Sequence, residues 1–218
     1  FVASGKRIIA LSASGTFYVL EPDGILVKAI PAFEGRYSVT RMALSPDGNR
    51  VCIGIGTGSE WHGKIWDITT GSLVSSWKAG VIYSVSWSPD GKSIASAEEN
   101  RQIFIRDAVT GLPRTSILVN QSSSITASDV AYGIDSNTVA VVCFNGSVEV
   151  WDISAKKVVF ARKLDSNEIG PGAVIFSPDG KRLAASAPGI VRIWDLPPLV
   201  ALPRPNARTG DILVPNSL

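Results

Sequence analysis

Histidine is nearly missing from this chain, with His62 the only one in 218 residues. Zinc and transition-metal sites assembled from several imidazoles are thereby excluded. A Ser/His/Asp nucleophile arrangement is equally indefensible, because His62 is the only imidazole and no G-x-S-x-G turn singles out a serine. Cysteine is almost as scarce. Cys52 and Cys143 lie in separate apolar stretches, in neither a C-x-x-C pair nor a secreted-type framework, and read as buried thiols that a reducing, intracellular compartment accommodates. Charge of one sign is lacking too: 21 basic against 19 acidic residues leave a formal +2, so nothing steers the chain toward nucleic acid. No apolar run approaches the about 20 residues that span a bilayer, and no leader pattern opens the sequence. The expectation is a soluble chain without metal or cofactor. Calcium held by carboxylates and carbonyls stays open, although no D-x-D-x-D-G loop occurs.

What is present is a repeat. Leu44-Ser45-Pro46-Asp47-Gly48, Trp87-Ser88-Pro89-Asp90-Gly91 and Phe176-Ser177-Pro178-Asp179-Gly180 recur, and Tyr132-Gly133-Ile134-Asp135-Ser136 aligns with them. Phe1 falls into the same register through Gly5-Lys6-Arg7, which matches Gly180-Lys181-Arg182. The five aromatic or apolar markers Phe1, Leu44, Trp87, Tyr132 and Phe176 are spaced 43, 43, 45 and 44 residues apart. A period of this size signals a stacked or radial repeat architecture. Each unit closes on a second marker: Trp66-Asp67, Trp151-Asp152 and Trp194-Asp195, with Arg106-Asp107 and Leu20-Glu21 at the corresponding places. Between the markers lie short β-branched and aromatic segments bounded by Gly, Pro, Asp and Asn, the pattern of strands joined by tight turns. In the third unit this predicts strands at 83–88, 93–97, 102–106 and 113–118.

The period, the Ser-Pro-Asp-Gly turn, the Trp-Asp ending and the Thr70-Gly71 and Thr110-Gly111 turns together resemble the WD-repeat propeller family. The resemblance implies an all-β fold, a β-propeller of four-stranded antiparallel blades with about five visible repeats, and a non-catalytic scaffold for protein–protein interaction. A single such blade cannot bury both faces and must stack on its neighbours. The family's Gly-His dipeptide, whose histidine ties the Trp-Asp elements together, is absent. Ala79-Gly80 stands in its place in one repeat, and stability is expected to rest on apolar packing.

Residues 1–202 read as blades, the first lacking most of its opening strand because Phe1 aligns with that strand's last residue, so Phe1 is not expected to be the biological N-terminus. Two readings of the ring stay open: part of a seven-bladed ring, or five blades closed by a strand around Asp211 to Val214. Residues 203–218 form a proline-rich tail or that closing strand, and Leu199 to Leu202 suit the outer strand of the last blade, where proline is tolerated.

Most conspicuous side chains have structural explanations. Trp66, Trp151 and Trp194 suit wedges between sheets. Asp67, Asp107, Asp152 and Asp195 suit strand-end carboxylates that accept backbone hydrogen bonds, and Asp47, Asp90 and Asp179 sit in Pro-Asp-Gly turns. Gly54-Ile55-Gly56-Thr57-Gly58 lacks the Gly-Lys-Ser/Thr and following helix of a phosphate loop. Trp61 falls outside the repeat pattern, in a connection from Gly54 to Gly63 longer than its counterparts. On the face that the resemblance assigns to partner binding, Trp61 and His62 would stand beside Phe33, Glu34 and Arg36 and near Glu99 and Arg101, an aromatic-arginine grouping suited to a hot spot. The competing reading has Trp61 fold back onto its own blade. A second function class, an enzyme or small-ligand binder, would use a central channel walled by Arg41, Ser84 and Asp129. The partners expected are proteins or other domains of a longer chain, with neither nucleic acid nor a membrane span.

Overall fold

A computed structural model describes residues 2–3, 7–35, 37–58, 60–119, 125–165 and 170–197. Every regular element among them is a β-strand. The first sheet is β1 (Val2–Ala3), β2 (Ile8–Leu11), β3 (Thr16–Leu20) and β4 (Leu26–Pro31), and the second is β5 (Ser38–Leu44), β6 (Arg50–Thr57), β7 (Glu60–Asp67) and β8 (Ser72–Ala79). The third holds β9 (Ile82–Trp87), β10 (Ser93–Glu98), β11 (Gln102–Asp107) and β12 (Pro113–Leu118). The fourth holds β13 (Ala127–Tyr132), β14 (Thr138–Cys143), β15 (Ser147–Asp152) and β16 (Lys157–Lys163). The described part of the fifth is β17 (Val174–Phe176), β18 (Arg182–Ala187) and β19 (Ile190–Asp195). Each sheet is an antiparallel meander in chain order, so each is one blade. The residues proposed for its outer strand, Leu199 to Leu202, and those for a closing strand, Asp211 to Val214, lie outside the described residues.

Local chemistry explains the meander. In the first-to-second turns, Gly48, Gly91 and Gly180 hold φ of +74°, +69° and +69°, a left-handed conformation that glycine adopts without a Cβ clash. The Asp47 carboxylate takes the Ser45 hydroxyl and the Asn49 N–H, and the Ser45 oxygen accepts the Arg50 N–H at 2.8 Å. The same circuit recurs at Ser88/Asp90 and Ser177/Asp179. Third strands end on carboxylates that cap the next turn: Asp67 accepts the Thr69 and Thr70 N–H groups, Asp107 those of Val109 and Thr110, and Asp152 that of Ala155.

Four apolar seams join the five blades. Phe17 and Val19 meet Val51, Ile53 and Trp66; Ile65 and Trp77 meet Val85, Trp87 and Ile94; Ile103 and Ile105 meet Tyr132, Val141 and Trp151; Val148 and Val150 meet Phe176, Leu183 and Ala185. Alternate third-strand residues, such as Ile65, Ile103 and Val148, thus lie against the following blade, while Trp66 and Trp151 face the preceding one. At the last blade the equivalent residues Val191 and Ile193 are 67% and 65% exposed, whereas Val148 and Val150 are fully buried. Among the described residues no sheet covers that face.

The packing is not wholly apolar, which corrects the expectation drawn from the missing histidine. In the third blade Arg106 occupies the tryptophan position and is buried with Glu98, Nη2 to Oε1 at 2.8 Å. Ser96 donates to the same carboxylate at 2.7 Å, and Arg106 Nη1 reaches the Gly111 carbonyl at 3.3 Å. The guanidinium also lies over Trp77, 5.1 Å from the ring centroid, and over Phe104, at 4.7 Å. A buried charge persists here because it has both an ionic partner and hydrogen bonds.

Candidate protein-binding face and channel

An antiparallel meander sends its first-to-second and third-to-fourth turns to one end of each blade. Its second-to-third hairpins and the connections between blades emerge at the other. On this second, loop face, Phe33 packs edge-to-face on Tyr37 with centroids 5.4 Å apart, and Tyr83 packs the same way on Phe144, also at 5.4 Å. Tyr37 is 43% exposed and the other three rings are half-buried. Edge-to-face pairing fixes ring orientation while leaving part of each ring to solvent. The hairpin beside them carries Glu99, exposed, and Arg101, half-buried, with Asn100 and Arg101 at φ of 62° and 65°. Glu99 is anchored, its N–H donating to the Val81 carbonyl at 2.9 Å.

The placement of Trp61 differs from the expectation of a long loop. β6 and β7 extend the hairpin to Thr57 and Glu60, so Trp61 lies in a strand, paired with Gly56 and Ala79. It is only 9% exposed, and its indole N–H donates to the Gly58 carbonyl at 3.2 Å. The glycines that resembled loop permit ring packing: a Cβ on Gly56 would meet the Trp61 ring at 2.4 Å, and one on Gly63 the Trp77 ring at 1.9 Å. Trp61 therefore folds onto its own blade. His62 is half-buried in the same strand, Glu34 is exposed, and Arg36 lies outside the described residues. Trp66 and Trp151 are buried, whereas Trp194 is half-buried, 6.2 Å from Phe160, and Asp195 is exposed at the end of β19. Sequence reasoning passed over Tyr37, Tyr83 and Phe144. The available signal was an aromatic residue at the mouth of an inter-blade connection or, for Phe144, beside the Asn145-Gly146 turn.

Arg41, Ser84 and Asp129 do converge on the channel wall. The Asp129 carboxylate lies 2.6 Å from Arg41 Nη2 and accepts the Ser84 hydroxyl on its other oxygen. It also accepts the Val174 N–H at 2.9 Å. One buried carboxylate thus ties the second, third, fourth and fifth blades. The unpaired inner edges of the first strands are served in similar fashion, with Ser86 accepting the Tyr132 N–H at 3.1 Å and Ser128 the Gly172 N–H at 3.0 Å. These donors would otherwise be left buried and unsatisfied.

Turn and strand-end carboxylates are held below the usual carboxylate range: Asp47 by the Ser45 hydroxyl and Asn49 N–H, Asp67 by the Thr69 hydroxyl and Thr70 N–H, Asp107 by the Thr110 N–H and Arg114. Burial pushes the Cys143 thiol up to about 12 and moves Cys52 the same way, the reverse of what an activated thiolate requires. Among the described residues no His, Cys, Asp and Glu side chains cluster as metal ligands. No helix among them is long and apolar enough to cross a membrane.

Comparison with known proteins finds WD-repeat sequence and a propeller neighbour. The WD domain, G-beta repeat family matches residues 70–107 and 166–195, which run from the outer strand of the second blade through the first three strands of the third, and over the described strands of the fifth. The β-propeller domain of Myceliophteria thermophila Cps50 (Swd1) superposes with a TM-score of 0.74 over 92% of this chain and 65% of that one, at 15% identity. The chain carries WD-repeat sequence in two stretches and has the fold of a β-propeller. WD-repeat propellers are typically protein-interaction scaffolds and generally non-catalytic. The 66 kDa stress protein of Physarum polycephalum is 25% identical over 199 residues, 89% of this chain and 31% of that protein. The WD repeat-containing protein SL1-17 of Schistosoma mansoni is 30% identical over 135 residues, 61% of this chain and 43% of that protein. This WD-repeat chain thus spans less than half the length of either curated relative.

Proposed function

We propose that this WD-repeat chain is a non-catalytic scaffold that holds a protein partner, or another domain of a longer chain, on its loop face. The observation that carries the reading is the pair of edge-to-face aromatic contacts, Phe33 with Tyr37 and Tyr83 with Phe144, on one face. Rings that are rigidly held and partly exposed supply contact area at little entropic cost, and hot spots favour aromatic residues and arginine. Arg36, Glu99 and Arg101 provide the polar contribution, and Trp61 and His62 the firm strand beneath.

Recovery of bound proteins by the immobilised chain tests this reading. Tyr37→Ala and Tyr83→Ala are expected to reduce partner recovery severalfold, and Arg36→Ala to reduce it less. Val109→Ser, in a turn on the opposite face, is expected to leave recovery unchanged. Unaltered recovery by both tyrosine variants, or equal loss with Val109→Ser, would remove the loop face from the proposal.

A further inference from the structure

Away from the channel, the cleft between the fourth and fifth blades widens at the turn face into a cavity of about 510 Å³. Ile134 of the fourth blade, 57% exposed, and Phe176, Leu196 and Pro197 of the fifth supply its apolar walls. Its charges are three carboxylates, Asp135, Asp179 and Asp195, against one ammonium, Lys181.

Asp195 is unlike the other strand-end carboxylates. Asp67 and Asp107 are each occupied by the N–H groups two and three residues further on, and Asp152 by the one three residues on. After Asp195 those two positions are Pro197 and Pro198, and proline has no N–H to donate. Among the described residues no donor is in place for the Asp195 carboxylate, which is exposed and lines the cavity. The local sequence has withdrawn the internal donors, and a donor from elsewhere can take their place.

The chain itself carries one. Pro197, the last described residue, stands at the lip of the cavity, and the residues beyond it hold two cations, Arg204 and Arg208, and one acidic side chain, Asp211. Reach selects between the two arginines. Were Leu199 to Leu202 to climb as the outer strand expected of them, they would rise about 13 Å. The six residues from Pro203 to Arg208 would return about 19 Å at the spacing of a proline-rich extended chain, whereas Arg204 would be left at the far end of the blade. An arginine also suits the walls in both its parts. Its stem lies along apolar surface, and its guanidinium meets a carboxylate in two-point geometry.

From this arrangement we infer that residues 203–208 fold back along the fifth blade and seat Arg208 in the cleft, its guanidinium on Asp195 and its stem between Ile134 and Leu196. The contact clamps the fifth blade to the fourth from outside. It is independent of the loop-face reading, so failure of one leaves the other standing.

Limited trypsin digestion of the intact chain tests the seat. Arg204 and Arg208 are the only basic residues after Arg192. The Arg204–Pro205 bond resists trypsin because proline follows, which leaves Arg208–Thr209 as the tail's one cleavable bond. In the parent chain that bond is expected to be cut slowly while the blades stay whole. Asp195→Asn and Ile134→Ser, both at exposed side chains, should speed its cutting about tenfold. Glu60→Gln, at an exposed carboxylate on the loop face, should leave the rate unchanged. As a second measurement, Ala207→Cys with Lys181→Cys should form a disulfide under mild oxidation, and Ala207→Cys with Val109→Cys should not, the native Cys52 and Cys143 being buried. A tail bond cut as fast in the parent as in Asp195→Asn, or equal crosslinking at positions 181 and 109, would overturn the proposal. Protection that grows with chain concentration would give the cleft to the tail of a second copy and overturn it as well.

Discussion

The third and fourth blades solve one packing problem in two ways. Where the third strand ends, the fourth blade places Trp151, whose indole N–H donates to the Glu149 carboxylate at 2.8 Å. The third blade places Arg106 there, over Trp77 and bonded to Glu98. The second blade supplies a further variant, for the buried Trp66 N–H finds no acceptor among the described residues. The position therefore accepts more than an indole: a guanidinium in the third blade and, in the first, Leu20. A guanidinium serves there only when its charge is neutralised, and that makes Glu98 part of the same solution.

The largest effect should come from separating charge from partner. Glu98→Ala leaves a buried guanidinium unpaired and is expected to cost about 3–5 kcal/mol, read as a lowered midpoint in urea or guanidinium unfolding. Replacing both groups, as Glu98→Leu with Arg106→Met, should recover most of that loss or exceed the parent stability, because isosteric apolar replacements of buried pairs are often neutral or stabilising. A double variant as unstable as the single one would show that Arg106 contributes through shape alone.

Next in size is a contrast between tryptophans. Trp151→Phe gives up an indole hydrogen bond worth about 1 kcal/mol beyond its lost volume. Trp66→Phe gives up none, so it should be the milder substitution in the same unfolding assay. Equal losses would erase the distinction between the second and fourth blades.

Acid should affect the blades alike, because Asp67 after Trp66 and Asp107 after Arg106 cap equivalent turns. Their folded pKa values lie below the ordinary carboxylate value. The stabilisation is thus fully present above the unfolded pKa of about 4 and is lost as pH falls through the lower folded values. Thermal midpoints are expected to stay level between pH 5 and 7 and to drop below about pH 4. Asp67→Asn and Asp107→Asn should each flatten the acid limb. The smallest effect belongs to Arg114→Ala, which removes an exposed ion pair with Asp107 and should cost under about 1 kcal/mol, the loss shrinking in added salt.

Much of this architecture was legible in the residues. The third-unit strands expected at 83–88, 93–97, 102–106 and 113–118 lie within a residue or so of β9 to β12 at each end, because Pro-Asp-Gly and Thr-Gly turns punctuate alternating apolar segments. Trp61 was misplaced for a physical reason. Glycine signals a loop by its conformational freedom, but Gly56 and Gly63 serve instead to admit indole rings in the middle of strands, and composition does not separate those uses. The Tyr83–Phe144 pair was illegible because its two rings belong to different blades. Arg41, Ser84 and Asp129 could be assigned to one wall from the repeat register, whereas the bonds among them required coordinates.

The Asp129 contacts change what kind of chain this is mechanically. Repeat arrays coupled only through adjacent interfaces can fray one unit at a time, since each unit answers to its neighbours alone. Asp129, in the fourth blade, holds Arg41 of the second as well as Ser84 of the third and the Val174 N–H of the fifth. Departure of any one of those blades would strand part of a buried carboxylate's hydrogen-bonding shell, a penalty felt by blades that do not touch the one departing. Four consecutive blades are thereby drawn into a single cooperative unit of opening, with its fulcrum at the channel wall rather than in any of the apolar seams.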